Sequence, residues 1–123
     1  MPSLNDKLPI FEQISKIIED DILARVYKEG DQIISTTQIS KVFQVNPATA
    51  VKGINLLVDQ DILYKKRGIG MFVQNGAKAR ILQKRRQEFY DLFIVKLLNE
   101  AKKIELSNED IISLIKGESS DNN

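Results

Sequence analysis

The stretch from Ser35 to Leu57 constrains this chain more than any other. It spells two short helices with almost nothing between them. Ser35 and Gln38 stand at the spacing of a capping box, in which each side chain satisfies a free backbone N–H at the other position. Ile39, Val42 and Phe43 then fall at i, i+3 and i+4, giving the first helix one apolar face. Asn46 is a favoured N-cap, and Pro47 at the first helical position gives up an N–H that has no partner in any case. The second helix turns Ala50, Ile54, Leu57 and Val58 inward. Ala48, Thr49, Lys52 and Asn55 lie on its other face, with Gly53 beside them. Two helices this short and this close predict a helix-turn-helix whose second helix presents small polar groups and one cation. A helical hairpin of no special purpose is the competing reading, and the flanking segments bear on the choice.

Ahead of this stretch, Met1 to Lys7 reads as a loose terminus. Pro9 then opens a helix in which Ile10, Ile14, Ile17 or Ile18, Ile22 or Leu23, and Val26 mark a broad apolar stripe. Glu19, Asp20 and Asp21 are expected opposite it, facing solvent. Lys28 to Asp31 should stop the helix, with Gly30 in the left-handed turn, and Gln32 to Ile34 suits a short strand. Beyond Asp61, two β-prone runs between Ile62 and Val73 flank a turn that holds Gly68 and Gly70. A Gly-rich turn alone fits any hairpin. Directly after a helix-turn-helix it predicts a wing, with Lys65, Lys66 and Arg67 against a sugar-phosphate backbone and Gly68 allowing close approach to a groove.

The net charge of +1 hides an asymmetry. Eight of the 18 basic residues and none of the 17 acidic ones lie between Lys65 and Arg86. A one-sign stretch in an otherwise acidic chain points to an anionic partner, whereas a merely solvated helix face would intersperse acids. After a linker at Gln74 to Gly76, one long helical pattern runs from Ala77 to about Ile104. Leu82, Arg86, Phe89, Phe93, Leu97, Ala101 and Ile104 follow one face, which Tyr90, Ile94 and Leu98 widen. Leu92 to Val95 are consecutively apolar, so a lone helix cannot hide this surface. Phe89, Leu92, Phe93, Ile94, Leu97 and Leu98 are the expected contacts to a second protomer. Ser107 and Asp110 cap a last short helix carrying Ile111, Ile112, Leu114 and Ile115, which Gly117 ends. Glu118 to Asn123 reads as a disordered tail. The predicted fold is mainly α with a small β-hairpin. Residues 1–75 form a winged helix-turn-helix, and residues 76–123 a helical dimerisation region.

The chain has no Cys and no His, so disulfides, thiolate chemistry and the usual general base are excluded. No Gly-rich phosphate loop ends in Lys-Ser/Thr. Asp59 and Asp61 with Asp20 and Asp21 are the one conceivable metal cluster, but helix ends and solvated faces suit them better. An enzyme is therefore not expected, nor a cofactor or metal. No run approaches a membrane span and the start lacks signal-peptide character, which predicts a cytoplasmic protein.

Leu8 to Ile14, Gly30 to Ile33, the helix-turn-helix, and Arg67 to Val73 together resemble the GntR family of bacterial transcription regulators, in order and in spacing. Val45 to Lys52 and Tyr64 to Gly68 are most similar to its YtrA-type branch. The resemblance implies a repressor, often of an operon encoding an ABC transporter, whose regulatory part is about fifty residues of dimerising helices. Several positions depart from the family pattern. Ile34 and Thr37 stand where Pro and Arg are common, Pro47 and Val51 where many members carry Arg, and Gln44 at a turn position that is usually Gly. Two or three implied phosphate contacts are missing. Either Lys52, the wing and the basic start of the long helix compensate, or DNA binding is weak.

The partners expected are thus double-stranded DNA carrying a palindromic operator, a second copy of the chain, and an unknown small-molecule effector. The candidate DNA-binding residues are Ser35, Thr36, Thr37, Asn46, Pro47, Ala48, Thr49, Lys52, Asn55, Lys65, Lys66, Arg67 and Gly68. Lys52 could reach guanine O6/N7 or a phosphate, and the methyl of Thr49 could pack on thymine. The alternative is a winged helix that binds proteins without DNA specificity. An acidic recognition face would favour that alternative, and Thr49, Lys52 and Asn55 do not supply one.

Overall fold

The structure, a computed structural model, describes residues 7–118. The expected loose start at Met1 to Asp6 and the tail at 119–123 lie outside the described residues. Helix α1 (Ile10–Leu23) begins behind Pro9, whose carbonyl accepts from the N–H groups of Glu12 and Gln13. Ile14, Ile18 and Ile22, four apart, are its buried stripe. The helix stops earlier than the apolar pattern suggests. Arg25 takes the left-handed conformation (φ 64°), and the N–H groups of Val26 and Tyr27 turn back to the Asp21 carbonyl. Val26 is consequently 64% exposed and off the stripe. Gly30 is left-handed too (φ 91°), but it serves a different junction, donating its N–H to the Val73 carbonyl.

A second expectation fails on α1. Glu19 is buried, 1% exposed, rather than solvent-facing. It follows Ser15 by four residues and precedes Ile22 by three, and both neighbours are buried, so helical geometry carries it inward despite its charge. Asp20 is exposed as expected, while Asp21 is half-buried. Burial, and secondly the neighbouring Asp20, push the Asp21 carboxyl above the usual carboxylate range.

Helices α2 (Thr36–Phe43) and α3 (Pro47–Asp59) form the helix-turn-helix. The Ser35–Gln38 capping box is complete, and Gln44 closes α2 in the left-handed region (φ 53°) where Gly would carry no steric penalty. Asn46 caps α3 through Oδ1, which accepts from Ala48 N at 2.8 Å. Gly53 packs against α1 so closely that an added Cβ would lie 2.8 Å from the Phe11 carbonyl oxygen. Ser15 Oγ donates to the Gly53 carbonyl at 2.6 Å across the same contact.

Strands β1 (Leu63–Lys66) and β2 (Gly70–Val73) pair antiparallel, with Leu63 opposite Val73 and Lys66 opposite Gly70. The expected strand at Gln32 to Ile34 is reduced to a single bridge from Gln32 to Phe72. Buried side chains of α1, α2, α3 and the hairpin, including Ile14, Ile39, Ile54, Leu57, Leu63 and Val73, share one core with Ala77 and Ile81.

Those last two residues belong to α4 (Ala77–Phe89). The chain divides into two compact units, Met1–Gln83 and Lys84–Asn123. The first turns of α4, through Ala77 and Ile81, complete the core of the first unit. The segment Gln74 to Gly76 is tied down rather than free: Gly76 N donates to Glu29 Oε1, and Arg80 donates to the Asn75 carbonyl. In the second unit a π-helical segment, Tyr90–Ile94, links α4 to α5 (Val95–Lys103). Helix α6 (Asn108–Lys116) starts at the complete Ser107–Asp110 capping box and ends at left-handed Gly117.

Candidate nucleic-acid interface

Helix α3 buries Ala50, Gly53, Ile54 and Leu57. That set fixes what remains outside: Pro47, Ala48, Lys52 and Asn55 are exposed and Thr49 is half-buried. Gly53 therefore belongs to the inner face, not beside the outer one. Lys52 is exposed but not idle, for its Nζ lies 4.2 Å from the centre of the Phe11 ring. Such an exposed cation–π contact is worth about 0.5–1 kcal/mol. It holds the ammonium at the side of α3, and any contact to a base or phosphate must compete with it.

At the start of α2, Ser35 and Thr37 are exposed and Thr36 is half-buried. The Ser35 hydroxyl is engaged by Gln38 N at 3.1 Å. What this end offers a phosphate is therefore the remaining first-turn N–H groups and the helix dipole, more than the Ser35 side chain.

Lys65, Lys66, Arg67 and Gly68 are all exposed at the wing. Tyr64 and Phe72 stack across the strands with ring centres 5.8 Å apart, and Lys66 Nζ sits 4.4 Å over the Phe72 ring. The turn is braced by Gln32, a residue from outside the hairpin. Gln32 Nε2 donates to the Ile69 carbonyl at 3.0 Å, and a Cβ on Gly70 would come within 2.5 Å of that same nitrogen. Gly70 (φ 150°) therefore gives space to the brace, while Gly68 (φ 76°), with nothing near its missing Cβ, supplies the backbone turn. Phe11 and Gln32 both lie in motifs that carry the family resemblance, which is the signal available for them.

In the second unit, Phe89, Leu92, Phe93 and Leu97 are exposed, from 39% for Leu97 to 62% for Leu92. Ile94 and Leu98 are half-buried. Phe89 and Phe93 touch each other with ring centres 5.3 Å apart. An open apolar groove between α5 and α6 is floored by Leu97, Ala101 and Leu106. The π turn accommodates an extra residue per turn, so Leu92, Phe93 and Val95 project from more than one side. Among the described residues no three His, Cys, Asp or Glu could hold a metal, and no helix is long and apolar enough to cross a membrane.

No family model matches the chain. A solved transcriptional regulator of the GntR family from Bacteroides thetaiotaomicron superposes with a TM-score of 0.78 at 30% identity, over 88% of this chain and 94% of that one. The chain belongs to the GntR family. Its winged helix is the DNA-binding fold of these transcription regulators. Over 75 residues it is 28% identical to the HTH-type transcriptional repressor YtrA of Bacillus subtilis (strain 168), a match that spans 61% of this chain and 58% of YtrA. The DNA-binding domain of AraR, solved in complex with operator ORX1, aligns with 59% of this chain and 95% of its own at 26% identity and a TM-score of 0.57. The Bacteroides protein and YtrA are transcription regulators rather than enzymes.

Proposed function

We propose that the chain is a homodimeric, sequence-specific repressor that binds a palindromic operator in a bacterial operon and acts in the cytoplasm. The observation that carries this reading is the joint exposure of Lys52 and Asn55 on α3, with Thr49 half-buried beside them, and of Lys65, Lys66 and Arg67 on the wing. This surface carries cations and no acid, which favours DNA over a protein ligand. The operator-bound AraR domain lends support, since it shares the fold. The dimer is supported by the exposed apolar set at Phe89, Leu92, Phe93 and Leu97, too wide for one short helical unit to cover. Repression is supported by the similarity to YtrA, and an operon encoding a transporter is the first target to try.

A gel-shift with the promoter of the chain's own operon tests the reading. Retardation of that fragment at protein concentrations at least tenfold below those needed for a shuffled fragment is the expected result. Equal affinity for the two fragments would remove sequence specificity, and sedimentation at one main monomer boundary would remove the dimer.

A further inference from the structure

Outside the helix-turn-helix and the wing, a cavity of about 330 Å³ opens among Ile22, Arg25, Tyr27, Lys28, Glu29 and Lys78. Half of these residues are cations. Among the described residues, Arg25, Lys28 and Lys78 make no side-chain hydrogen bond or ion pair. The carboxylates here are held by backbone N–H groups and pair with none of the three cations: Glu29 Oε1, in the lining itself, accepts from Gly76 N at 2.9 Å, and Asp31 Oδ2 accepts from Lys28 N at 2.8 Å. Three cations against the one carboxylate of Glu29 leave the lining with an excess of two positive charges, which favours an anionic occupant.

The walls are held in place. Arg25 projects from a left-handed residue (φ 64°) whose turn is closed by Arg25 N to the Ile22 carbonyl and Val26 N to the Asp21 carbonyl. Tyr27 is pinned because its hydroxyl accepts from Ile34 N at 3.3 Å, and Ile22 supplies a buried apolar floor.

We infer that this cavity binds a phosphate group. The guanidinium fork of Arg25 matches phosphate oxygens in pairs, and Lys28 and Lys78 add two point charges. The volume lies at the small end of ligand sites, and the Tyr27 and Ile22 walls suit the organic part of a small phosphorylated molecule. The same chemistry also fits a backbone phosphate of DNA flanking the operator. The first source stands whether or not the chain is a repressor. The second rests on DNA binding.

The full-length protein, labelled with 15N, is titrated with pyrophosphate at constant ionic strength, and operator binding is measured from low to high salt. Both are repeated on Arg25→Asn/Lys78→Ala, since Asn tolerates the left-handed backbone. Lys28→Gln/Lys78→Gln serves as a second variant that leaves the Arg25 turn intact. Saturable amide shifts confined to Arg25 to Glu29 and Lys78 to Arg80, weakened at least tenfold in both variants, would establish a free phosphorylated ligand. Absence of those shifts, together with a salt slope flattened by about 0.9 for each phosphate no longer neutralised, would assign the site to DNA phosphate. No pyrophosphate binding and an unchanged salt slope would overturn the inference. Failure of the parent to bind any promoter DNA would sink the repressor reading and still leave the pyrophosphate titration decisive.

Discussion

Replacing Gly53 by Ala sets two effects of known sign against each other. Gly in the middle of a helix is about 0.8–1.0 kcal/mol worse than Ala, so α3 alone should gain from the change. The structure says the gain is overruled. The new methyl would stand 2.8 Å from the Phe11 carbonyl oxygen and 3.3 Å from Ile14 Cγ2. The first is backbone and cannot rotate away, and the second belongs to a fully buried core residue. Overpacking of this kind costs about 1–3 kcal/mol. The Ser15 hydroxyl bond to the Gly53 carbonyl, at 2.6 Å, resists the sliding that would relieve it. We take the upper half of that range and expect a net loss of about 1–2 kcal/mol.

Urea unfolding at fixed protein concentration reads this directly, with Asn55→Ala as the control. Asn55 is exposed on the same helix, so its change to Ala should gain a few tenths of a kcal/mol or more through propensity alone. The Phe11 carbonyl that would be pushed aside belongs to the residue whose ring lies under Lys52. Operator affinity should therefore fall several-fold even where the variant is fully folded. A Gly53→Ala protein more stable than its parent would refute the close packing of α1 on α3.

Replacing Lys65, Lys66 and Arg67 together by Ala should weaken operator and random DNA alike and flatten the log–log salt slope by about 0.9 per phosphate left without its cation; a weakening confined to the operator would mean that these residues read bases or groove shape. Lys52→Ala should cost about 1–3 kcal/mol on the operator and relax one base position if Lys52 leaves the Phe11 ring for a base edge, which selection from a randomised operator library would show. Phe93→Glu with Leu97→Glu should give monomers in sedimentation, since like charges would be buried at a two-fold interface; a folded, fully dimeric variant would move the interface elsewhere. Asp21 has a folded-state pKa raised by burial and then by Asp20, so the fold is relatively favoured at low pH and loses stability as pH rises through that pKa. Asp21→Asn should then be more stable than the parent near neutrality, with the gap closing below the usual carboxylate range; a gap independent of pH would exclude ionisation as its origin.

The three helix starts at Ser35, Asn46 and Ser107 are legible in the sequence because a cap is a local bond between a side chain and an N–H two or three residues away. The hairpin is legible for a similar reason, since its glycines sit at the turn they serve. What escapes depends on distant partners. Gly30 has the look of the end of α1, yet its left-handed backbone is used to join β2, and Arg25 ends the helix instead. Glu19 reads as exposed because it is charged, although its position relative to Ser15 and Ile22 turns it inward. Ala77 and Ile81 resemble the opening of a polar helix among Lys78, Arg80 and Gln83, and only the core they enter shows that they complete the first unit. Lys52 reads as a free cation until the ring of Phe11, forty-one positions earlier, is placed under it.

The departures from the family pattern bear on how the proposed repressor divides its binding energy. Pro47 and Val51 stand where arginines are common, and Lys52 must give up a ring contact before it touches DNA. One protomer then reads its half-site through Thr49, Asn55 and at most one cation on α3. A good bidentate base contact discriminates by about 1–3 kcal/mol, so a single half-site provides only a few kcal/mol of preference. Two half-sites held by one dimer add their free energies, which multiplies the preferences instead of summing them. Specificity would then depend more on the apolar face around Phe93 and Leu97 than on the wing, although that face never meets a base. This predicts an order of effects on the ratio of operator to random DNA affinity. The Phe93→Glu/Leu97→Glu variant should lose most of that ratio, whereas the wing variant, weaker on both DNAs, should keep it. The reverse order would place the recognition of sequence in the wing and leave the dimer a role in affinity alone.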